Sequence, residues 1–538
     1  MADKIIEFGT NVHSKFLTAV EKTADFVAAT MGPKGKNIVM SQGRSTKVTK
    51  DGISVIRYLD YSDPLENTAL CLLREASEKT NSVGDGTTGT CVLAASIFKE
   101  GVKTLNFGAN GIHLRNGIQK AAEIVVESVK KQAVQIDNNN DLFRVAKISS
   151  NHSDEIANAL VEVFSKIGEN GTIKVEPGNR KIETRVVEGM QFQNGYSNPY
   201  FVNRDNMTCE LDNAYVFIID KKISNISEIL KPIQAITKEK RAVLIIAEEV
   251  DGDAISTLVL NKVRGTLNVC VVQSPSYGQN RKNILSDIAV LTGGQVVSED
   301  TGIIPDEAVP SSGYLGTAKK IIVSKDSTTI IEGLGSKEKI QERIEQLKAQ
   351  IEQTEDEFDK KKMKERLAKL DGGVGIVSVG ANTEAEIKER LDLVDDAFSA
   401  CKAALVDGVV AGGGAALLFA RKDLDKYLKE NQGNLNDDEV FGFKILSKAL
   451  DAPIQRIVGN AGESPDVVVK KILDEDKEQY GYDVLTKTFG NMFELGIIDP
   501  TQVIVAEIEN AASIASLLLT TAGAIAEKPE LQPPLNNQ

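Results

Sequence analysis

The chain has 538 residues, 41% hydrophobic and 26% charged, the makeup of an ordinary globular protein and more than one hydrophobic core usually fills. Its 63 basic and 77 acidic side chains leave a net charge of −14, a field that repels polyphosphates and acidic membranes, so neither nucleic acid nor membrane is expected as a partner. Five scattered cysteines in no CxxC spacing, with only three histidines, argue against a zinc site or a disulfide framework and for free thiols in a reducing, cytoplasmic setting.

The opening stretch MADKIIEFGTNVHSKFL lacks the apolar core of a signal peptide. No apolar run is expected to reach the roughly 18 residues that span a bilayer. Helical patterns dominate to about residue 135. TAVEKTADFVAATM puts Val20, Ala24, Val27 and Ala28 on one face, and GIHLRNGIQKAAEIVVESVKKQAV does the same with Ile118, Ala121, Ala122 and Val125. Between them, KNIVMSQ and TKVTKDGISVIRYLD carry β-branched residues about a Lys-Asp-Gly turn and read as a small hairpin.

The middle of the chain changes character. NAYVFIIDKKI, RAVLIIAEEV, LNVCVVQSP and KKIIVSKDSTTIIEG read as short strands, and helical patterns alternate with the first three, which predicts an α/β domain over about 189–373. Residues 338–370 are highly charged and helical, with Ile340, Ile344, Leu347 and Ile351 in register. The pattern breaks at 354–359, too soon for a sustained coiled coil, so a helical hairpin is expected. Helices then return, through AFSACKAALVDG to AASIASLLLTTAGAIA, and the final PELQPPLNNQ has no periodicity and reads as a disordered tail. The succession of helical, α/β and helical segments predicts an α/β domain inserted into a helical one. Gly189, Gly372, Gly373 and Gly408 sit near the changes, as hinge positions would.

Three stretches carry chemistry. In NSVGDGTTGT, residues 81–90, Gly84 and Gly86 flank Asp85, and Thr87 and Thr88 open a helix whose N–H groups and dipole favour an anion. A carboxylate in an anion site calls for a cation beside it, and a carboxylate with phosphate oxygens and water is how Mg2+ is commonly held. The stretch lacks the GK[ST] of a Walker A loop. MGPKGKN (31–37) with TKDG (49–52) is the second stretch. The third is VDDAFSACKAALVDGVVAGGGAAL, where Gly412–Gly414 precede a helix and Asp396 sits early in a helical pattern. Taken singly, each has an ordinary structural explanation as a capped helix start, a turn or a hairpin corner.

Together, in this order, they resemble the group I chaperonins, the GroEL family. The likeness runs from residue 8 to about 526 through GPKGKN, TKDG, GDGTT, KISSN, VVEGMQF, DKKISNI, LIIAEEV, LTGG, VAGGG, YGYD, GNM and IIDPTQV. It implies a multidomain α+β chaperonin fold. A mainly helical equatorial ATP-binding domain would comprise 1–131 and 407–525, a small intermediate hinge domain 132–188 and 374–406, and an inserted α/β apical domain 189–373, with 526–538 as tail. The implied activity is an ATPase that captures unfolded polypeptides and encloses them in a heptameric ring, single or double, under a GroES-type co-chaperonin.

Residue by residue, the resemblance implies Asp85 as the Mg2+ ligand, with Gly86, Thr87 and Thr88 around the phosphates of ATP. Thr30, Met31, Gly32, Pro33 and Lys50 belong to the nucleotide environment, Thr30 and Lys50 also to that of K+. Gly413 would approach the nucleotide and Asp499 its ribose, with Ile497, Asp483, Val484 and Leu485 about the base; relatives often have asparagine and two alanines at those last three positions. Asp396 and Asp51 would position the attacking water. Tyr196, Tyr200, Phe201, Leu230, Ile233, Ile255, Val259 and Leu260 would form the polypeptide-binding surface. Periodicity agrees in part: Leu230 and Ile233 share one helix face, and Ile255, Val259 and Leu260 share another. The alternatives are a copy retained as a binding protein, which loss of Asp51, Asp85 or Asp396 would have signalled, a metabolic ATPase, and the group II chaperonins, a weaker match because no apical protrusion is evident.

Overall fold

Valine- and alanine-rich stretches spaced by three and four residues fold as helices at both ends of the chain, and the β-branched runs between them fold as strands. The computed structural model describes residues 4–527 apart from 43–44, 82, 137, 169–170, 179–180, 205–206, 355, 382 and 476, and excludes the side chains of 42, 45, 46, 357, 358, 361 and 385. Two units emerge. The first comprises Met1–Val161, Asn179–Ile182 and Val379–Gln538, and the second Glu162–Gly178 and Glu183–Ser378. An α/β unit inserted into a helical one is thus the arrangement observed. The two segments expected as an intermediate domain are shared: helices Asn139–Ser149 and Glu384–Asp407 fall in the first unit, and strands Thr172–Pro177 and Glu183–Val187 in the second.

In the first unit, helix Thr501–Leu519 packs against Pro64–Asn81, Thr87–Asn106 and Gly111–Lys131. Its length and composition would suffice to cross a membrane, contrary to the sequence expectation, but it is mostly buried and serves as a core helix. The apolar faces expected on Thr10–Ala28 and Gly111–Lys131 are buried in the same core. Strand Lys4–Phe8 pairs antiparallel with Gly523–Glu527, so TTAGAIA ends in a strand rather than a helix, and Ala526 and Glu527 belong to the fold rather than to a tail. The rest of the expected tail, 528–538, lies outside the described residues.

The amino-terminal hairpin is present, as Ile38–Gln42 against Ser45–Thr49, but Lys-Asp-Gly follows its second strand instead of joining the two. Lys-Asp-Gly instead begins helix Gly52–Tyr58, where Asp51 is the N-cap. Its carboxylate accepts from Ile53 N at 3.0 Å and Ser54 N at 2.9 Å. Aspartate outcompetes a turn here because a following apolar helix leaves amide donors for it to satisfy.

The second unit is built on a six-stranded sheet in the order Gly189–Gln193, Ser327–Gly333, Gly316–Val323, Cys209–Ile223, Val243–Val250, Val269–Gln273. Its last three strands run parallel, with Tyr215, Val243 and Val269 in register, and the others antiparallel. Helices Lys337–Gln353 and Glu357–Asp371 form the hairpin, and Ile340, Ile344, Leu347 and Ile351 are its buried stripe.

A charge clamp holds this hairpin. Asp287, fully buried on helix Gly278–Thr292, accepts from Arg343 Nε at 2.8 Å and from Arg366 Nε at 2.8 Å and Nη2 at 2.9 Å. Removing one side of a buried pair leaves the other charge without compensation. Asp287→Ala should therefore lower the stability of this unit by about 3–5 kcal/mol in urea unfolding followed by circular dichroism. A loss below about 1 kcal/mol would mean that the arginines find equivalent partners.

Candidate functional site

The glycine-rich loop at 81–90 lies in the first unit and leads into helix Thr87–Asn106. Gly86 is the N-cap in left-handed conformation (φ 97°), and no side chain caps the helix. The amides of its first turn therefore have no side-chain acceptor, the situation that suits an anion. Thr87 turns its hydroxyl to Asn81 Oδ1 at 3.2 Å. Asp85 faces the open side of this loop and accepts from Gly86 N at 2.6 Å.

Gly84 explains why the loop needs glycine. Its φ is 137°, and a Cβ there would stand 2.6 Å from Ala400 N and 2.7 Å from Ser399 C. The backbone of helix Glu384–Asp407 lies directly on the loop, and Asp396 is one turn before that contact. Asp51 comes from a third direction: a Cβ on its neighbour Gly52 would stand 2.4 Å from Thr88 Oγ1.

Strand Val409–Ala411 pairs with Ile498–Pro500, placing Val410 opposite Asp499. Gly413 N then donates to Asp499 Oδ2 at 3.1 Å, and Gly412 N to Ile497 O at 2.9 Å. Gly414, left-handed at φ 83°, begins helix Ala415–Asn431, again without a side-chain cap. Ile497 packs with Met492 beside Gly413. Val484 is buried with Leu418 and Ile454, whereas Leu485 is exposed. Asp483 closes its own hairpin turn, accepting from Leu485 N at 2.8 Å and Thr486 Oγ1 at 2.7 Å.

The 30–35 turn is tied to helix Ala452–Asn460, because Asn460 Nδ2 donates to Ala28 O at 2.8 Å and Met31 O at 3.0 Å. Gly32 and the half-buried Pro33 form that turn, with Ile457 against Gly32. Thr30 donates to Val27 O at 2.7 Å, which leaves its oxygen lone pairs free to accept or to ligate. Lys50 is half-buried beside Asp51, within electrostatic reach of His152.

Carboxylates dominate the electrostatics. Burial first, then the charges of Asp85, Asp51, Asp392 and Asp395, push Asp396 up to about 9. Burial and Asp85 push Asp499 to about 6 against the pull of Gly413 N–H. Asp85 is itself raised by the protein crowded around it and by Asp51, although solvent access on one side makes its desolvation partial. Glu507 is raised well above the carboxylate range by burial and then by Asp499 and Asp85, and a Cβ on Gly89 would stand 2.2 Å from its Oε1. Repulsion of this kind is relieved by a cation or by protons.

Among the described residues, no three His, Cys, Asp or Glu side chains converge closely enough to hold a metal by themselves. An ion held here would take few carboxylates from these residues and its other ligands from elsewhere, a mode of binding open to Mg2+. Asp85, exposed on its open side and next to the uncapped helix start, is a carboxylate that could hold such an ion.

Residues 23–529 match the TCP-1/cpn60 chaperonin family. The chain belongs to that family. A solved structure with the same fold is that of the chaperonin gp146 from the bacteriophage EL 2 (Pseudomonas aeruginosa), determined in the presence of ATP-BeFx. It shares 21% identity and a TM-score of 0.69, over 98% of this chain and 100% of that one. The protein is thus a protein-folding chaperonin with the multidomain α+β fold that the motifs implied.

The second unit of this chaperonin holds the apolar residues expected to meet polypeptide. The one-turn helix Pro199–Phe201 and the turn Ile226–Ile229 both pack on helix Gly252–Val263, and the latter turn runs into helix Leu230–Glu239. Tyr200 is 69% exposed, Leu260 47% and Leu230 41%. Ile255 and Val259 are half-buried. Phe201 (0%) and Ile233 (9%) are corrections: both point into the core of the unit and offer no surface. Tyr196 lines a separate cavity of about 870 Å³ and bridges to Val272 at the sheet edge. Val263, 65% exposed on the same helix as Leu260, is a surface residue that the sequence reading missed.

Two acids were missed in the first unit. Asp392 lies four residues before Asp396, a helical spacing visible in the sequence, and is raised by burial and by Asp51. Glu507 had only a weak signal, one of two carboxylates, with Glu509, within the apolar run IVAEIENAASIASLLL.

Two outcomes test this geometry. A carboxyl raised in the folded state binds more protons there than in the unfolded chain, so it subtracts stability as pH rises from the ordinary carboxylate pKa toward its folded value. Asp396→Asn should therefore raise the melting temperature of nucleotide-free, metal-free protein, and by more at pH 8 than at pH 5. An equal effect at both pH values would mean that Asp396 does not face the other carboxylates. Gly84→Ala should push helix Glu384–Asp407 off the loop, cutting any turnover that needs Asp396 about a hundredfold while circular dichroism stays unchanged; full turnover would contradict the close approach.

Proposed function

We propose that this chaperonin binds and hydrolyses ATP with Mg2+ in its first unit and uses the cycle to capture, enclose and release unfolded polypeptide. The observation that carries the reading is the convergence of Asp51, Asp85 and Asp396 on a glycine loop and an uncapped helix start. The neighbouring fold of gp146, determined in the presence of ATP-BeFx, supports a nucleotide as the ligand.

The division of labour follows from what phosphoryl transfer requires, which is charge neutralisation and placement of water rather than covalent catalysis. Asp85 holds the metal, and the amides of Thr87 and Thr88 with the helix dipole receive phosphate oxygens. Thr30 and Lys50 belong to the same environment, with K+ as the second cation at Thr30. The Gly413 turn lets the nucleotide approach, Asp499 accepts from ribose hydroxyls, and Ile497, Met31, Pro33 and Val484 enclose the base. Asp483 spends its oxygens on its own turn, and Leu485 faces solvent, so these two act on the base through the shape of the hairpin.

Asp396, held largely protonated among its neighbours, loses its proton once cations neutralise them and becomes the acceptor that orients the attacking water. Asp51 is tied to two amides as a cap, so its part is to fix the field and the water rather than to take a proton. We assign the segments 1–131 with 407–525 to an equatorial, 132–188 with 374–406 to an intermediate and 189–373 to an apical domain. With Asp396 on the intermediate segment, hydrolysis is coupled to closure, because the site is complete only when the helix lies on the loop.

Tyr200, Leu230, Leu260 and Val263 are the polypeptide-binding surface. Apolar burial is non-directional, so such a surface takes any exposed hydrophobic segment. The assembly is a heptameric ring with a GroES-type lid, and mass measurement in solution separates one ring from two.

Asp396→Ala should bind ATP yet hydrolyse it on the order of a hundredfold more slowly, read as phosphate release against nucleotide binding. Undiminished turnover would remove Asp396 from the site. Tyr200→Glu should reduce capture of a denatured protein while ATP turnover persists; unchanged capture would move the surface elsewhere.

A further inference from the structure

A cavity lies where the parallel strands of the second unit begin to pair. It is open, measures about 550 Å³, and its lining includes Arg204, Glu210, Asp212, Lys240, Arg241 and Asn268. Tyr215, Val243 and Val269 are the first residues of the parallel register, and Asn213, Ala242 and Asn268, one or two positions before them, lie on the cavity wall. Helix Leu230–Glu239 ends at the same place. Lys240 follows it in left-handed conformation (φ 55°), and Arg241 comes next. Glycine or asparagine is the usual residue at such a helix end. Lysine puts a charge there instead.

Arg241 is held in one place. Its Nε donates to Asn213 O at 2.9 Å, and its guanidinium lies 4.0 Å over the ring of Tyr215. The ring is fixed in turn, since Tyr215 Oη donates to Glu239 Oε2 at 2.6 Å. A guanidinium carries five N–H donors, of which Asn213 takes one. Held flat in this way, it is prepared for a planar pair of oxyanion oxygens. The carboxylates nearby are already compensated. Glu210 Oε2 lies 3.2 Å from both Arg204 Nη2 and Lys320 Nζ, and its Oε1 lies 3.6 Å from Lys174 Nζ. Asp212 stands opposite Lys320 in the antiparallel register. Asn268 Oδ1 accepts from Lys262 Nζ at 2.6 Å, which brings a further cation beside the cavity. The Lys240 amine has no partner among the described residues. Cations outnumber carboxylates here, in a chain whose net charge is −14.

We propose that this cavity is a binding site for a small phosphate-bearing anion, with Arg241 as the planar clamp and Lys240 and Arg204 as flanking charges. The volume suits a phosphate ester of metabolite size. Among the lining residues only Ala242 is apolar, so the ligand is hydrophilic and the site is distinct in chemistry from the polypeptide surface. The overall negative field repels long polyanions. A compact anion that comes within a Debye length, about 8–10 Å, meets the local cations instead. The site lies wholly in the second unit and needs neither the nucleotide nor the metal proposed for the first.

The test is a residue-level footprint on the full chain in metal-free buffer, with inorganic pyrophosphate as the probe. Lysines are acetylated and arginines modified with phenylglyoxal at rising pyrophosphate, with sodium chloride at equal ionic strength as the control, and the peptides are mapped by mass. Lys240, Arg204 and Arg241 should be protected in a saturable manner, while the exposed Lys238 on the same helix reacts at an unchanged rate. Arg241→Gln should raise the pyrophosphate concentration that half-protects Lys240 by roughly tenfold or more. Lys240→Gln leaves the contact of Arg241 with Tyr215 in place and should weaken protection of Arg204 in the same direction. The proposal is overturned if Lys240 reacts at the same rate at every pyrophosphate concentration, even where Lys50 in the first unit is protected. It is overturned equally if sodium chloride protects Lys240 as well as pyrophosphate does, which would mean screening alone. The footprint of the unaltered chain decides the matter even where a variant fails to fold.

Discussion

Like charges held close together must be compensated, and the first unit is organised around that requirement. Burial and nearby carboxylates, Asp51 among them, raise the pKa values of Asp85, Asp392, Asp396, Asp499 and Glu507, and these acids come from segments scattered through the chain. No apolar packing would gather them, since burying a charge without a partner is strongly unfavourable. Protons can relieve the strain, as they do on Asp396, and so can a metal ion. The first answer is available without a ligand; the second makes the site responsive to one. In the proposed function, that difference is what a nucleotide with its metal exploits.

Glycine is the steric counterpart. At Gly84 a side chain would strike the backbone of helix Glu384–Asp407, and at Gly89 it would strike the carboxylate of Glu507. The loop is therefore made of small residues for two reasons: it leaves the start of a helix uncapped on one side, and other elements of the fold press closely on the other. The same economy recurs at Gly413 and Gly414, where a left-handed turn frees the start of a helix and lets an amide reach Asp499.

The second unit shows the opposite use of charge. Asp287 is fully buried, yet Arg343 and Arg366 surround it, and the result is a clamp between a sheet-packing helix and a charged helical hairpin. A carboxylate with two guanidinium partners has nothing left to offer a ligand, whereas one crowded by other carboxylates does. Neighbouring charge, more than burial, separates an aspartate already satisfied by its partners from one that can still take a cation or a proton in this chaperonin.

Periodicity determined much of the fold. The stripes Val20–Ala24–Val27–Ala28 and Ile340–Ile344–Leu347–Ile351, the β-rich runs and the insertion of an α/β unit into a helical chain were all legible, because side chains at fixed spacing share a face whatever surrounds them. The motif order was legible too, and with it the family. Only the tertiary structure decided what depends on distant neighbours. It turned Asp51 from a hairpin corner into a helix cap, set Phe201 and Ile233 in the core, paired the two ends of the chain as strands and laid Glu507 behind the loop. Exposure, pairing and pKa belong to the surroundings of a residue rather than to its local sequence, and a lone chain carries no record of those surroundings until it has folded.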